Sequence, residues 1–356
     1  MNSFIPDYQN LVEVAENRKP ERLPLYEHGV AYEQIERITG QDLIALAQGS
    51  LEERREFQRR HNLFYRDMGY DTVSFERGVC GIVQGGLGLM GRKPGIIRNR
   101  SEFEAFNFED GAQRYFELFK EDFELMIEQL PEGMKAVGGI GNGVFEVVQD
   151  MAGYTDLCLM KADDPDLYAD LFKATGVLIL SIWERFLPLY GDAFAVCRIG
   201  DDLGYKASTL LSPDDIRLHI IPSYKKIVDL VHSKEKPFLL HSCGKIFNVM
   251  DDFINVAGID AKHSNEDEIA PFEEWVDRYG DRIGNFGGID MSVLCQSSPE
   301  EVERAVTKII ETLANSDGIA ISSGNSIPDY VPTENYLALI RAVRRYRGEN
   351  PEETSI

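Results

Sequence analysis

Lys236-Pro237-Phe238-Leu239-Leu240-His241-Ser242-Cys243-Gly244-Lys245 is a short apolar run that ends in a histidine and a cysteine two residues apart. Proline opens it, apolar residues fill it and Gly244 closes it, the pattern of a strand buried on both faces of a parallel sheet and running into a tight loop. In extended chain successive side chains alternate faces, so His241 and Cys243 point the same way and can grip one metal ion. Zinc favours that pair of ligands. Buried cysteines and strand-end histidines are also ordinary core and capping residues, so the weight of the pair depends on its surroundings.

Working outward, seven further apolar segments share this form: Leu23 to Glu27, Thr72 to Phe75, Lys135 to Gly138, Ala193 to Cys197, Ile259 to His263, Ile283 to Gly287 and Gly318 to Ser322. Amphipathic stretches separate them. Phe116, Phe119, Phe123, Met126, Ile127 and Leu130 recur at steps of three and four, as one buried face of a helix does. Ser212-Pro213-Asp214-Asp215 and Ser298-Pro299-Glu300-Glu301 each supply a serine N-cap, a proline in the first turn and acids at the positive end of the helix dipole. Strand and helix alternate without a compositional break, and eight strands select one α/β domain over residues 1–356, a (β/α)8 TIM barrel. Residues 1–20 read as an N-terminal extension and 349–356 as a tail. Two irregular parts are expected: a glycine-rich loop over 76–100, after the second strand, and extra helices over 154–190, before the fourth, ending near Pro188.

The 356 residues carry 37 Lys+Arg against 60 Asp+Glu, a formal net charge of −23 with the acids spread along the chain. Such a field repels nucleic acid and anionic membrane surfaces, leaving a small organic substrate or a protein partner. No apolar run approaches the ~20 residues of a membrane span, and the N-terminus lacks a basic, then apolar, leader, so a cytoplasmic protein is expected. Five scattered cysteines do not form a disulfide framework and fit a reducing compartment.

In such barrels the reactive groups stand at the C-terminal ends of the strands. The ends found here are Glu27-His28, Glu76-Arg77, Gly141-Asn142, Asp201-Asp202, His241-Ser242-Cys243, His263, Asp290 and Ser323-Gly324-Asn325-Ser326. Polar loop residues are common everywhere, but metal-type ligands gathered at one end are not. Gly86-Leu87-Gly88-Leu89-Met90-Gly91 has dinucleotide-fingerprint spacing, yet no helix start follows it, and it reads as loop. Gly138 to Gly143 precedes a helix, and its amides suit either an anion or close backbone packing against a ligand.

Gly200-Asp201-Asp202-Leu203-Gly204 with Leu211-Ser212-Pro213, His241-Ser242-Cys243-Gly244, Phe286-Gly287-Gly288-Ile289-Asp290, and Gly324-Asn325-Ser326-Ile327-Pro328 with Pro332-Thr333-Glu334-Asn335 together resemble the uroporphyrinogen decarboxylase superfamily. Within it, the likeness is to the corrinoid-dependent methyltransferases, from about Pro20 to Gly348. The resemblance implies a (β/α)8 barrel, a Zn2+ ion, and methyl transfer to or from a cobalamin carried by a corrinoid-binding partner protein. Two departures matter. Authentic decarboxylases carry an arginine-rich N-terminal clamp for a polycarboxylate, where this chain has Leu25-Tyr26-Glu27-His28; an acid there is electrostatically poor for that substrate. Thiol-methylating members complete His-x-Cys with a second cysteine near the end of the last strand, where this chain has Ser323-Gly324-Asn325-Ser326.

The resulting expectation is zinc on His241 and Cys243, with a third ligand from His263, Asp202 or Glu27 and less favourably Asp290. Asp201, Asp202, Asn325 and Glu27 form the catalytic surround, and Gly141, Asn142 and Asp290 face the cofactor. The substrate is a methyl ether, methanol or a thiol, and fewer sulfur ligands favour oxygen, hence O-demethylation. The alternatives are a metal-free carboxy-lyase, with Asp202 or Asp290 holding pyrrole-type N–H groups, and a non-catalytic barrel that serves as a binding subunit.

Overall fold

In a computed structural model that describes residues 4–83 and 94–350, seven parallel strands form one sheet in chain order. They are β1 Thr72–Gly78, β2 Lys135–Gly141, β3 Phe194–Gly200, β4 Phe238–His241, β5 Ala261–His263, β6 Gly284–Ile289 and β7 Ile319–Ser323. Each is joined to the next through helices, as parallel pairing requires, and the arrangement is consistent with a TIM barrel. The count of eight is corrected to seven. The first apolar segment makes a single parallel bridge, Leu25 to Ile321 of β7, because Pro24 has no amide to extend the ladder. The segment still spans the gap between the edge strands: Tyr26 N donates to Ile321 O at 2.9 Å, and Ser74 of β1 donates its hydroxyl to the His28 carbonyl.

The sheet is packed from both sides. Leu11, Val14 and Ala15 of the helix Gln9–Ala15 are fully buried against Val137, Val196, Leu239 and Ala320, so the N-terminal segment plugs the base of the sheet. Outside, Phe116, Phe123 and Met126 of the helix Gly111–Glu128 are buried, on the face that their spacing predicts. Ser298 closes a reciprocal capping box with Glu301, and the Ser212 hydroxyl accepts from Asp215 N at 3.2 Å. Between β2 and β3 stand three helices, Val144–Ala152, Tyr154–Asp163 and Pro165–Tyr190. The last ends at Tyr190, close to Pro188 as expected, since a proline in the final turn removes only one bond. Of the glycine-rich stretch, Val79–Ile82 forms one turn; residues 84–93, with the Gly86 to Gly91 motif, lie outside the described residues. No helix among the described residues is long and apolar enough to cross a membrane.

Candidate metal centre

Strand register brings the ligand-type residues together. Gly200, His241 and His263 are direct partners across β3, β4 and β5, so the two imidazoles stand side by side at the C-terminal end of the sheet. Beyond them the chain turns twice in contact with itself: Gly204 N donates to Cys243 O at 3.2 Å and Lys245 N to Tyr205 O at 2.8 Å. Gly244 has φ +81°, and a Cβ there would strike the backbone of Gly204 at 2.2 Å, so only glycine lets these loops close. Their closure sets Asp202 beside Cys243.

Asp202, His241 and Cys243 each offer a ligand atom, all within 4.8 Å of one another. The thiol lies 3.5 Å from His241 Nε2, which is 3.8 Å from Asp202 Oδ1. The same carboxylate oxygen accepts from Cys243 N at 2.9 Å. Asn325 Nδ2 reaches the sulfur at 3.3 Å, and the Ser264 hydroxyl stands 3.8 Å from it. Burial, then Asp202, pushes the Cys243 thiol well above its usual range, so without a cation the sulfur keeps its proton. A metal ion at this place reverses that preference by stabilising thiolate.

The imidazoles are held neutral, as ligands must be. Burial drives His241 and His28 far below the usual histidine range and His263 down to about 3. His263 Nε2 faces the Ser323 carbonyl at 3.2 Å, which assigns its proton to that nitrogen. Its Nδ1 then accepts from His241 Nδ1 at 2.7 Å, leaving His241 Nε2 with its lone pair toward Cys243 and Asp202. His263 thereby orients His241 from behind. In the chain His28 reads only as a strand-end residue; its ring stacks on that of His241 at 3.9 Å, from a segment far away in sequence. The period-two alternation that sends Tyr26 inward, edge-on to His263 at 5.1 Å, is the signal that could have found it.

The remaining expected residues fall in different places. Glu27 stands apart from these clusters: it is buried, and accepts from Ser323 N at 2.9 Å and Ser323 Oγ at 2.6 Å. Burial raises it to about 8. Asp201 accepts from the amides of Phe145 and Glu146 and from Tyr224 Oη at 2.9–3.2 Å, so it fills the helix N-terminus that the Gly138 to Gly143 run leads into. Burial raises it to about 7, and Glu146, which accepts from Asp202 N at 3.2 Å, well above its usual range. Gly141 ends β2; Asn142, at φ +63°, donates to Glu146 and accepts from Cys80 N. Asp290 caps the helix Met291–Gln296 and accepts from Asp267 N at 2.7 Å.

Beside His28 opens a cavity of about 120 Å3, lined among others by Tyr32, Phe57, His61, Glu76, Arg77 and Arg198. Arg198, fully buried, meets Glu76 at 2.7 Å and Tyr26 Oη at 2.7 Å; Arg77 meets Asp122 at 2.7 Å. Both guanidinium groups in the cavity wall are therefore matched by carboxylates.

The model of the uroporphyrinogen decarboxylase (URO-D) family matches residues 92–346 of the chain. No curated protein matches it. Among solved structures, a methyltransferase from Methanosarcina mazei is similar over 96% of this chain and 99% of its own, with a TM-score of 0.74 at 16% identity. The putative vitamin-B12 independent methionine synthase from Listeria monocytogenes covers 96% of this chain and 98% of its own at TM-score 0.44 and 12% identity. Native xylanase 10B from Thermotoga maritima covers 96% and 100% at 0.47 and 10%. The last two likenesses are too loose to carry weight, and at such identities the first speaks for the fold alone.

Proposed function

Because the chain belongs to the uroporphyrinogen decarboxylase family, we propose that it is the zinc-dependent methyltransferase of a corrinoid system. It moves a methyl group between a small molecule and a corrinoid carried by a partner protein. What supports this most is the convergence of Asp202, His241 Nε2 and Cys243 at the C-terminal end of the sheet, a donor set of oxygen, nitrogen and sulfur that suits zinc and leaves a coordination position open. When bound, zinc supplies Lewis acidity toward the heteroatom that bears the methyl group. His263 keeps the His241 lone pair aimed at the site, and Asn325 and Ser264 donate to the sulfur, where a second cysteine is expected in thiol-methylating members.

A single thiolate in place of two leaves more positive charge on the ion, which favours an oxygen substrate, a methyl ether or methanol. The small cavity agrees with a compact, uncharged molecule. A polycarboxylate finds no unengaged guanidinium on its wall, because Arg198 and Arg77 are taken by Glu76 and Asp122. The test is methylation of free cob(I)alamin from a phenyl methyl ether or methanol by the zinc-loaded protein, followed by the corrinoid spectrum. Turnover in the native chain and none in Cys243→Ala is expected; a zinc-loaded native chain that methylates nothing from either oxygen donor overturns the assignment.

A further inference from the structure

The helix Leu51–Asp67 brings His61 and Tyr65, one turn apart, to the wall of the cavity beside His28; Tyr32 and Glu76 reach the same wall from the start of the helix Tyr32–Thr39 and from β1. His61 is buried, and its Nδ1 lies 3.4 Å from both Asn62 Oδ1 and Gln58 Nε2. Nε2, on the other side of the ring, has no partner among the described residues. Burial takes the ring down to about 4, so it is neutral, and either tautomer leaves Nε2 able to make one more hydrogen bond. The hydroxyls of Tyr32 and Tyr65 are likewise without a partner among the described residues, and burial keeps both protonated. Glu76 gives Oε2 to Arg198 at 2.7 Å, while its Oε1 makes no hydrogen bond among the described residues and lies 3.8 Å from His28 Nε2. Enclosed polar atoms left over in this way are exceptions in folded proteins, and here they share one space.

We propose that this cavity is the seat of an alcohol hydroxyl on the methyl-bearing substrate, held by Glu76 Oε1, His61 Nε2 and the Tyr32 and Tyr65 hydroxyls. This rests on the methyl-transfer reading above and narrows its substrate to a hydroxylated methyl ether. The chemistry of the wall selects the group. A carboxylate oxygen only accepts, whereas a phenol hydroxyl also donates, so the ligand has to give a proton in one direction and take one from another. An ether oxygen, which donates nothing, leaves Glu76 Oε1 unanswered. A carboxylate meets Glu76 with like charge, and an ammonium accepts nothing and meets Arg77 and Arg198 in the same wall. An uncharged hydroxyl escapes all three penalties. Size agrees: at about 30 Å3 per molecule of liquid water, a cavity of about 120 Å3 admits a fragment of only a few non-hydrogen atoms.

The experiment compares two methyl ethers of equal length, 2-methoxyethanol and 1-methoxypropane, which differ by a hydroxyl in place of a methyl group. Saturation-transfer NMR on the full-length protein, with and without zinc, reads binding apart from turnover. The native chain is expected to bind 2-methoxyethanol about tenfold or more tightly, the worth of a hydrogen bond to a charged group. Tyr65→Phe removes a hydroxyl that bonds nothing in the protein, and His61→Phe keeps a ring among Phe57, Tyr32 and Tyr65, so both variants are expected to stay folded by circular dichroism and thermal midpoint. Each should lower the preference by about fivefold, one neutral hydrogen bond. No binding of 2-methoxyethanol, equal binding of the two ethers, or an undiminished preference in both folded variants overturns the seat. Preferential binding of 2-methoxyethanol that no variant of the assay converts into methyl transfer sinks the methyl-transfer reading instead and leaves the hydroxyl seat standing, so the two can fail separately.

Discussion

The two ends of the sheet are built from opposite materials. At the base, Leu11, Val14 and Ala15 press on Val137, Val196, Leu239 and Ala320, in a cluster of the described residues that holds no carboxylate, imidazole or basic side chain. At the other end His241, His263, Glu27, Asp201 and Arg198 are nearly or wholly enclosed. The base returns free energy on burial; the rim costs it, because every buried ionisable group has its preferred charge state disturbed. Stability and chemistry are thus separated along one axis, the division expected of barrels.

Several substitutions test that division. His241→Ala should have the largest effect, loss of bound zinc together with methyl transfer, with the fold kept; zinc content and the thermal midpoint on one sample measure both. Leu11→Ala should do the reverse: ~2–5 kcal/mol of stability lost to the cavity and forfeited burial, with zinc per folded chain unchanged, measured by urea unfolding and metal analysis. Asp201→Ala, which orphans two amides and Tyr224 Oη, should cost ~1–3 kcal/mol, whereas Asp202→Ala, next to it in sequence, should cost little stability and weaken zinc binding. If both aspartates behaved alike, the distinction drawn between anchor and ligand would be lost.

The smallest effect is a pH slope. Burial lifts Glu27 from its ordinary 4.5 to about 8, so the folded chain binds this proton more tightly than the unfolded one. The stabilising contribution is complete below about 4.5 and is lost as pH rises toward about 8. Glu27→Gln keeps an acceptor for Ser323 N and removes the titration. Its stability relative to the native chain should therefore increase across that window in urea unfolding at stepped pH, and a difference flat with pH would remove Glu27 as a titrating group.

What could be read from the chain follows the range of the interactions involved. Apolar runs bounded by proline and glycine mark seven strands, and the two-residue spacing of His241 and Cys243 marks a shared direction, because both are local. Asp201 and Asp202 look equivalent as neighbours; only the fold shows that one meets the helix start at Phe145 and the other the thiol side of His241. The segment Gln9–Ala15 resembled an extension, since nothing local reveals that its apolar face closes the base. His28 escaped assignment for the same reason: its partner His241 arrives through the sheet, and the first segment holds its place by one bridge rather than a ladder.

The central claim is that a metal ion is held at this rim through the sulfur of Cys243. The most direct measurement is the near-ultraviolet spectrum of the protein loaded with one equivalent of Co2+. A sulfur-to-cobalt charge-transfer band in the native chain, absent from Cys243→Ser, is predicted. Bound cobalt with no such band in the native chain would contradict it.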